Sequence, residues 1–122
     1  FEQNMRQLVK GICESYGISY EVKYETTCPM TFNQPKQADA ATKAAITLLG
    51  ADKCDGDIDP RPFSEDFSIM SENTPGCFVL MGNGVTGSHG RPLHSADYDF
   101  NDELLVQGSS YWVELAEQQL QK

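Results

Sequence analysis

The run Cys77-Phe78-Val79-Leu80-Met81 lies between the turn pair Pro75-Gly76 and a glycine-rich stretch from Gly82 to Gly90. Five apolar residues in a row, closed off by turn formers on both sides, have the form of a strand covered on both faces, as inside an α/β sheet. The run is far too short to cross a bilayer. Upstream, Tyr20, Val22 and Tyr24 alternate with Glu21, Lys23 and Glu25, the period-two pattern of a strand covered on one face only. Two strands with different cover predict two sheets, and so pieces of two domains with a boundary near Thr31–Asn33. The expected fold class is α/β, assembled from α+β pieces, with residues 1–32 in one domain and 33–122 in the other.

Helices fill the space around these strands. Phe1, Met5, Leu8, Val9, Ile12 and Tyr16 recur at helical spacing, and Gly17 offers a stop. Pro35 suits the first turn of a second helix, whose Ala38, Ala41, Ala45, Leu48 and Leu49 form a small-residue stripe ending at Gly50. Ser64 is placed to cap a short helix carrying Phe67 and Met70, with Glu65 and Asp66 in its first turn. Asn101 should cap a long helix with Leu104, Leu105, Gly108, Tyr111, Trp112, Leu115 and Leu120 facing inward. Between the second and third helices runs an acidic, proline-bearing loop, Asp52 to Pro62.

The 122 residues carry 9 Lys or Arg against 18 Asp or Glu, a net charge of -9. Such a surface repels phosphate backbones and anionic membranes, which excludes nucleic acid and membrane surfaces as expected partners. No apolar signal segment opens the chain, and the lack of a starting Met fits a processed or excised piece. Cys13, Cys28, Cys54 and Cys77 stand too far apart for a CxxC or zinc-knuckle motif. They are expected to be four reduced thiols of a cytoplasmic protein.

Several motifs fail on inspection. Gly82-Asn83-Gly84-Val85-Thr86-Gly87 has GxGxxG spacing, but Ser88-His89-Gly90-Arg91-Pro92 follows it instead of a helix N-terminus. A dinucleotide needs that helix for its pyrophosphate, so the stretch reads as a plain flexible loop. Asp55-Gly56-Asp57-Ile58-Asp59 alternates acids like a calcium loop, yet Pro60 occupies the position that demands glycine. Asp97-Tyr98-Asp99-Phe100-Asn101 fails in the same way, with Asp102 there. His89 and His94 are the only histidines. The bland reading of each is a hydrogen-bonded structural residue. His94 stands among carboxylates just before a capped helix, however, where a neutral imidazole is suited to bind metal.

The segment Leu93-His94-Ser95-Ala96-Asp97-Tyr98-Asp99-Phe100-Asn101-Asp102-Glu103, followed by Leu104-Leu105-Val106-Gln107-Gly108, resembles the C-terminal signature of the hippurate hydrolase and N-acyl-amino-acid amidohydrolase family. These are co-catalytic metallopeptidases related to carboxypeptidase G and aminoacylase. Ser64-Glu65-Asp66-Phe67-Ser68 with Thr74-Pro75-Gly76-Cys77-Phe78 resembles its Glu-Asp-Phe segment and the strand behind it. Tyr24 to Pro29, Thr31 and Asn33 resemble the end of its inserted lid. The resemblance implies an open-sheet α/β catalytic domain with two divalent metals, interrupted by an α+β lid used to form a homodimer. On that footing 1–32 is the end of the lid and 33–122 the C-terminal part of the catalytic domain. The implied reaction is hydrolysis of the amide bond of an N-acyl amino acid by metal-activated water.

His94 matches the family's last metal-binding histidine, and Glu65 and Asp66 are expected to cap, line or orient rather than catalyse. The remaining family ligands are absent, since the chain contains neither Gly-His-Asp nor Glu-Glu. The expectation is therefore a C-terminal fragment that is inactive alone and binds no metal alone. Manganese, zinc, cobalt or nickel would serve the full-length enzyme. The competing reading is a non-catalytic binding or interaction module that kept the scaffold.

Overall fold

The computed structural model describes residues 1–120. It contains four helices: α1 (Glu2–Ser15), α2 (Pro35–Leu49), α3 (Phe67–Ser71) and α4 (Leu104–Leu120). Single 3-10 turns occur at Ala51–Lys53 and Ser88–Gly90, and no strand is present among the described residues.

Helix α1 forms where the 3.6-residue spacing predicts it. Gly17, at φ +65°, ends it, and the amides of Gly17 and Ile18 return to the carbonyls of Glu14 and Cys13 at 3.2 and 3.0 Å. Helix α2 starts on Pro35 and stops at Gly50, as expected. Asn101 caps α4, its Oδ1 accepting the Glu103 amide at 3.2 Å. Helix α3 departs from expectation. Ser64 does not cap it, and the chain enters through Asp66 already in the right-handed helical conformation. The amides of Ser68 and Ile69 bond the backbone carbonyls of Glu65 and Asp66 instead, so neither acidic side chain serves as a cap.

Among the described residues, the helix-on-helix contact that builds a core joins α2 and α4. Ala41, Ala44 and Tyr111 are buried there, and the Tyr111 hydroxyl donates to the Ala41 carbonyl at 3.4 Å. Further along, Gln118 Nε2 donates to Thr47 Oγ1 at 3.3 Å. The two contacts advance along both helices together, so α2 and α4 run parallel. The inward stripes are narrower than the periodicity predicts. Ala44, not Ala45, is the fully enclosed position, and Trp112 and Leu120 of α4 stay 66% and 79% exposed.

The α/β open-sheet expectation is overturned. Residues 20–24 form no strand and keep only part of their alternation: Val22 and Tyr24 are half-buried between exposed neighbours, but Tyr20 is exposed. Among the described residues no second backbone pairs with them; the Arg6 guanidinium reaches the Val22 carbonyl at 3.0 Å instead. Cys77–Met81 is not covered on both faces either, because Val79, Leu80 and Met81 are 45%, 50% and 45% exposed. A strand exists only through inter-strand hydrogen bonds, and apolar periodicity registers a demand for cover without supplying the partner.

That demand extends over the whole molecule. A compact protein of this mass exposes about 6,500 Å² by area–mass scaling. This chain exposes 10186 Å², with Phe1 and, on α1, Leu8 and Ile12 among its uncovered residues.

Candidate functional site

The best-organised non-helical part of the chain is the segment from Asn83 to Asn101, which carries both histidines. Asn83 is half-buried at its base. Its Nδ2 donates to the carbonyls of His89 and Asp99 at 2.9 and 2.8 Å. Its Oδ1 accepts the Asn101 amide at 2.8 Å, and Asn101 Nδ2 returns to the Asn83 carbonyl at 3.3 Å. Asn101 is also the α4 cap, so the base of the loop and the start of the helix share one set of hydrogen bonds.

Within the loop, His89 Nδ1 lies 3.3 Å from the Asp99 carbonyl and 3.7 Å from its Oδ2. Arg91 Nε pairs with Asp97 Oδ2 at 3.1 Å. Gly90 passes so close to Val85 that a Cβ would stand 2.7 Å from the Val85 carbonyl carbon, which only glycine accommodates. Together Val85, Thr86, Gly87, Arg91 and Asp97 line an open hollow of about 640 Å³.

His94 sits at the turn of this loop, exposed, with φ +67°. Among the described residues it is the one non-glycine residue with positive φ. Left-handed backbone at a non-glycine residue costs energy and persists where the surroundings impose it, often at working sites. Its ring makes no hydrogen bond to a described residue, leaving its nitrogens free to meet a ligand. Glu65 and Asp66 are not brought to it. Both lie at the entry to α3, where Asp66 Oδ1 stands 3.9 Å from the Cys28 thiol.

The donor set fits one ligand of a metal centre and does not complete one. An exposed imidazole with free ring nitrogens suits a divalent ion, while the acids nearest it in the chain are turned elsewhere, Asp97 to Arg91 and Asp99 to His89. No group of three or more His, Cys, Asp or Glu among the described residues is arranged to hold an ion. All four cysteines are free, and burial pushes the Cys77 thiol above its ordinary value. The Tyr111 hydroxyl is also raised, by burial first and by Cys77 second.

Residues 82–90 are expected as a plain flexible loop, and nothing in that expectation points to Asn83, whose side chain ties the loop together. As the residues after the glycines require, no α-helix starts there; only the 3-10 turn Ser88–Gly90 follows. The available signal was an amide side chain set between two glycines, which can reach backbone that a larger neighbour would block.

Comparison with known proteins gives the chain its relatives. Hippurate hydrolase of Campylobacter jejuni is 29% identical over 115 residues, covering 94% of this chain and 29% of that protein. A putative amidohydrolase of Bacillus subtilis, YhaA, is 33% identical over 86% of this chain and 26% of its own length. Thermostable carboxypeptidase 2 of Saccharolobus solfataricus is 31% identical, again over 86% of this chain and 26% of its own length. The chain thus spans less than a third of the length of these curated relatives. No solved structure gives a significant match. Residues 3–118 match the family described as Peptidase family M20/M25/M40, and the chain belongs to that family.

Proposed function

We propose that this chain is the C-terminal part of a metal-dependent amidohydrolase acting on N-acyl amino acids of the hippurate type. The observation that carries the proposal is His94: an exposed imidazole in left-handed backbone, inside the chain's best-organised loop, in a family whose relatives bear hydrolase names. When bound, a divalent metal supplies an activated water and polarises the carbonyl of the scissile amide. Manganese, zinc, cobalt and nickel all suit a mixed nitrogen and oxygen donor set.

In this reading His94 lends one ring nitrogen, and the other ligands and the general base come from parts of the protein beyond these residues. The chain by itself is inactive. Residues 1–32 close a lid used for dimerisation, and 33–122 belong to the catalytic domain of a cytoplasmic homodimer. Glu65 and Asp66 stay structural, at the entry to α3. The large uncovered surface supports the reading, because α1 and the outer face of α4 need a partner surface that the chain does not contain.

The test is to purify the complete polypeptide that carries this sequence and assay it with manganese or zinc on hippurate and other N-acyl amino acids. Metal-dependent release of the free amino acid is expected. A fully metallated protein that cleaves none of them would reject the substrate class.

A further inference from the structure

We propose that Asn83 is the positioning residue for His94. Its side chain holds the two flanks of the loop together and so fixes where the imidazole stands. The proposal rests on the reading of His94 as a metal ligand.

The two carbonyls that Asn83 Nδ2 engages belong to His89 and Asp99, each five residues from His94 on opposite sides. The third contact, from the Asn101 amide to Oδ1, ties the same side chain to the cap of α4. One planar carboxamide thereby meets three backbone groups, with both of its N–H donors and one of the two acceptor positions of its oxygen. No other residue type supplies that set at that length. Aspartate keeps the acceptor for Asn101 but faces two carbonyl oxygens with no proton to give. Glutamine carries the same groups one methylene too far.

The backbone of His94 makes the need plain. At φ +67° it would relax to an ordinary conformation if its flanks could part. Gly84 and Gly90 bring the chain close enough for the short asparagine arm to reach, since a Cβ on either would collide with His89 or Val85. The half-buried amide is thus the element that keeps the loop closed, while the exposed ring of His94 is left free for the ligand.

The test compares Asn83→Asp, Asn83→Ala and His94→Ala in the complete polypeptide. Manganese or zinc affinity is measured by chelator competition, amide hydrogen exchange over residues 84–101 by mass spectrometry, and the melting temperature on metal-free protein. Asn83→Asp should weaken metal binding about 10- to 100-fold, as loss of a ligand-orienting group does. Exchange in the loop should quicken, and the metal-free melting temperature should fall, because the His89 and Asp99 carbonyls lose their donor and face a carboxylate. If Asn83→Ala does not accumulate as folded protein, the near-isosteric Asn83→Asp carries the test alone. Wild-type metal affinity in Asn83→Asp, alongside weakened binding in His94→Ala, would overturn the positioning role and leave the ligand reading intact. Wild-type affinity in His94→Ala would overturn both.

Discussion

The side chain of Asn33 pairs with the backbone of Phe78 as a neighbouring strand would. Asn33 Nδ2 donates to the Phe78 carbonyl at 3.0 Å, and the Phe78 amide donates to Asn33 Oδ1 at 2.7 Å. Beside it, the Gln34 amide donates to the Gly76 carbonyl at 3.0 Å. Residues 33 and 34 thus dock the start of α2 onto the segment that begins at Gly76. Asn33→Ala strands both Phe78 groups and should cost about 1–2 kcal/mol of unfolding free energy. Urea denaturation of the complete protein reads this, and an unchanged midpoint would show the pairing to be dispensable.

Phe67 of α3 packs on Phe78 with ring centroids 5.6 Å apart. A Cβ on Gly76 would come within 2.7 Å of Phe67 Cζ, so Gly76→Ala must displace that ring. We expect a loss of about 1–3 kcal/mol, the range for overpacking. Adding Phe67→Leu should return part of it, and a double-mutant cycle with no coupling would place the clash elsewhere.

Burial raises the Cys77 thiol, which fixes the sign of a pH effect. The folded state keeps its proton to higher pH than the unfolded state does. Above the unfolded thiol's value, about 8.5, the unfolded chain therefore binds fewer protons and stability falls as pH rises. Tyr111, raised in the same direction, extends the fall toward higher pH. Melting temperatures between pH 7.5 and 10 should decline, and Cys77→Ala should flatten the first part of that decline. An identical profile in the variant would remove Cys77 as its source.

The isolated 122-residue chain should associate with itself or bind a hydrophobic dye, because Phe1, Leu8, Ile12, Trp112 and Leu120 are all more than half exposed. Adding manganese or zinc should restore no amide hydrolysis. Light scattering that finds a monodisperse compact monomer with amidase activity would contradict the incomplete-site account.

What was legible in the sequence was what local chemistry determines. The helical spacing of α1, the proline and glycine that bracket α2, and the Asn101 cap of α4 each depend on residues within a turn or two of one another. The sheet was not legible in that way. Alternation over Tyr20–Tyr24 records which side wants cover, and Val22 and Tyr24 do lie deeper than their neighbours, but pairing needs a second backbone. Cys77–Met81 looked buried on both faces because every residue is apolar, and Val79 to Met81 are nonetheless open. His94 stood out by its chemistry and by resemblance. Asn83 did not, since its contacts reach 6 to 18 residues ahead through irregular backbone, where no periodicity marks them.

The role of His94 is tested most directly by the metal content of the complete protein with and without His94→Ala, measured by elemental analysis after removal of loosely bound ions. Loss of bound metal, together with loss of N-acyl amino acid hydrolysis and an unchanged fold by circular dichroism, is the predicted result. Full metal content in a folded His94→Ala protein would contradict it.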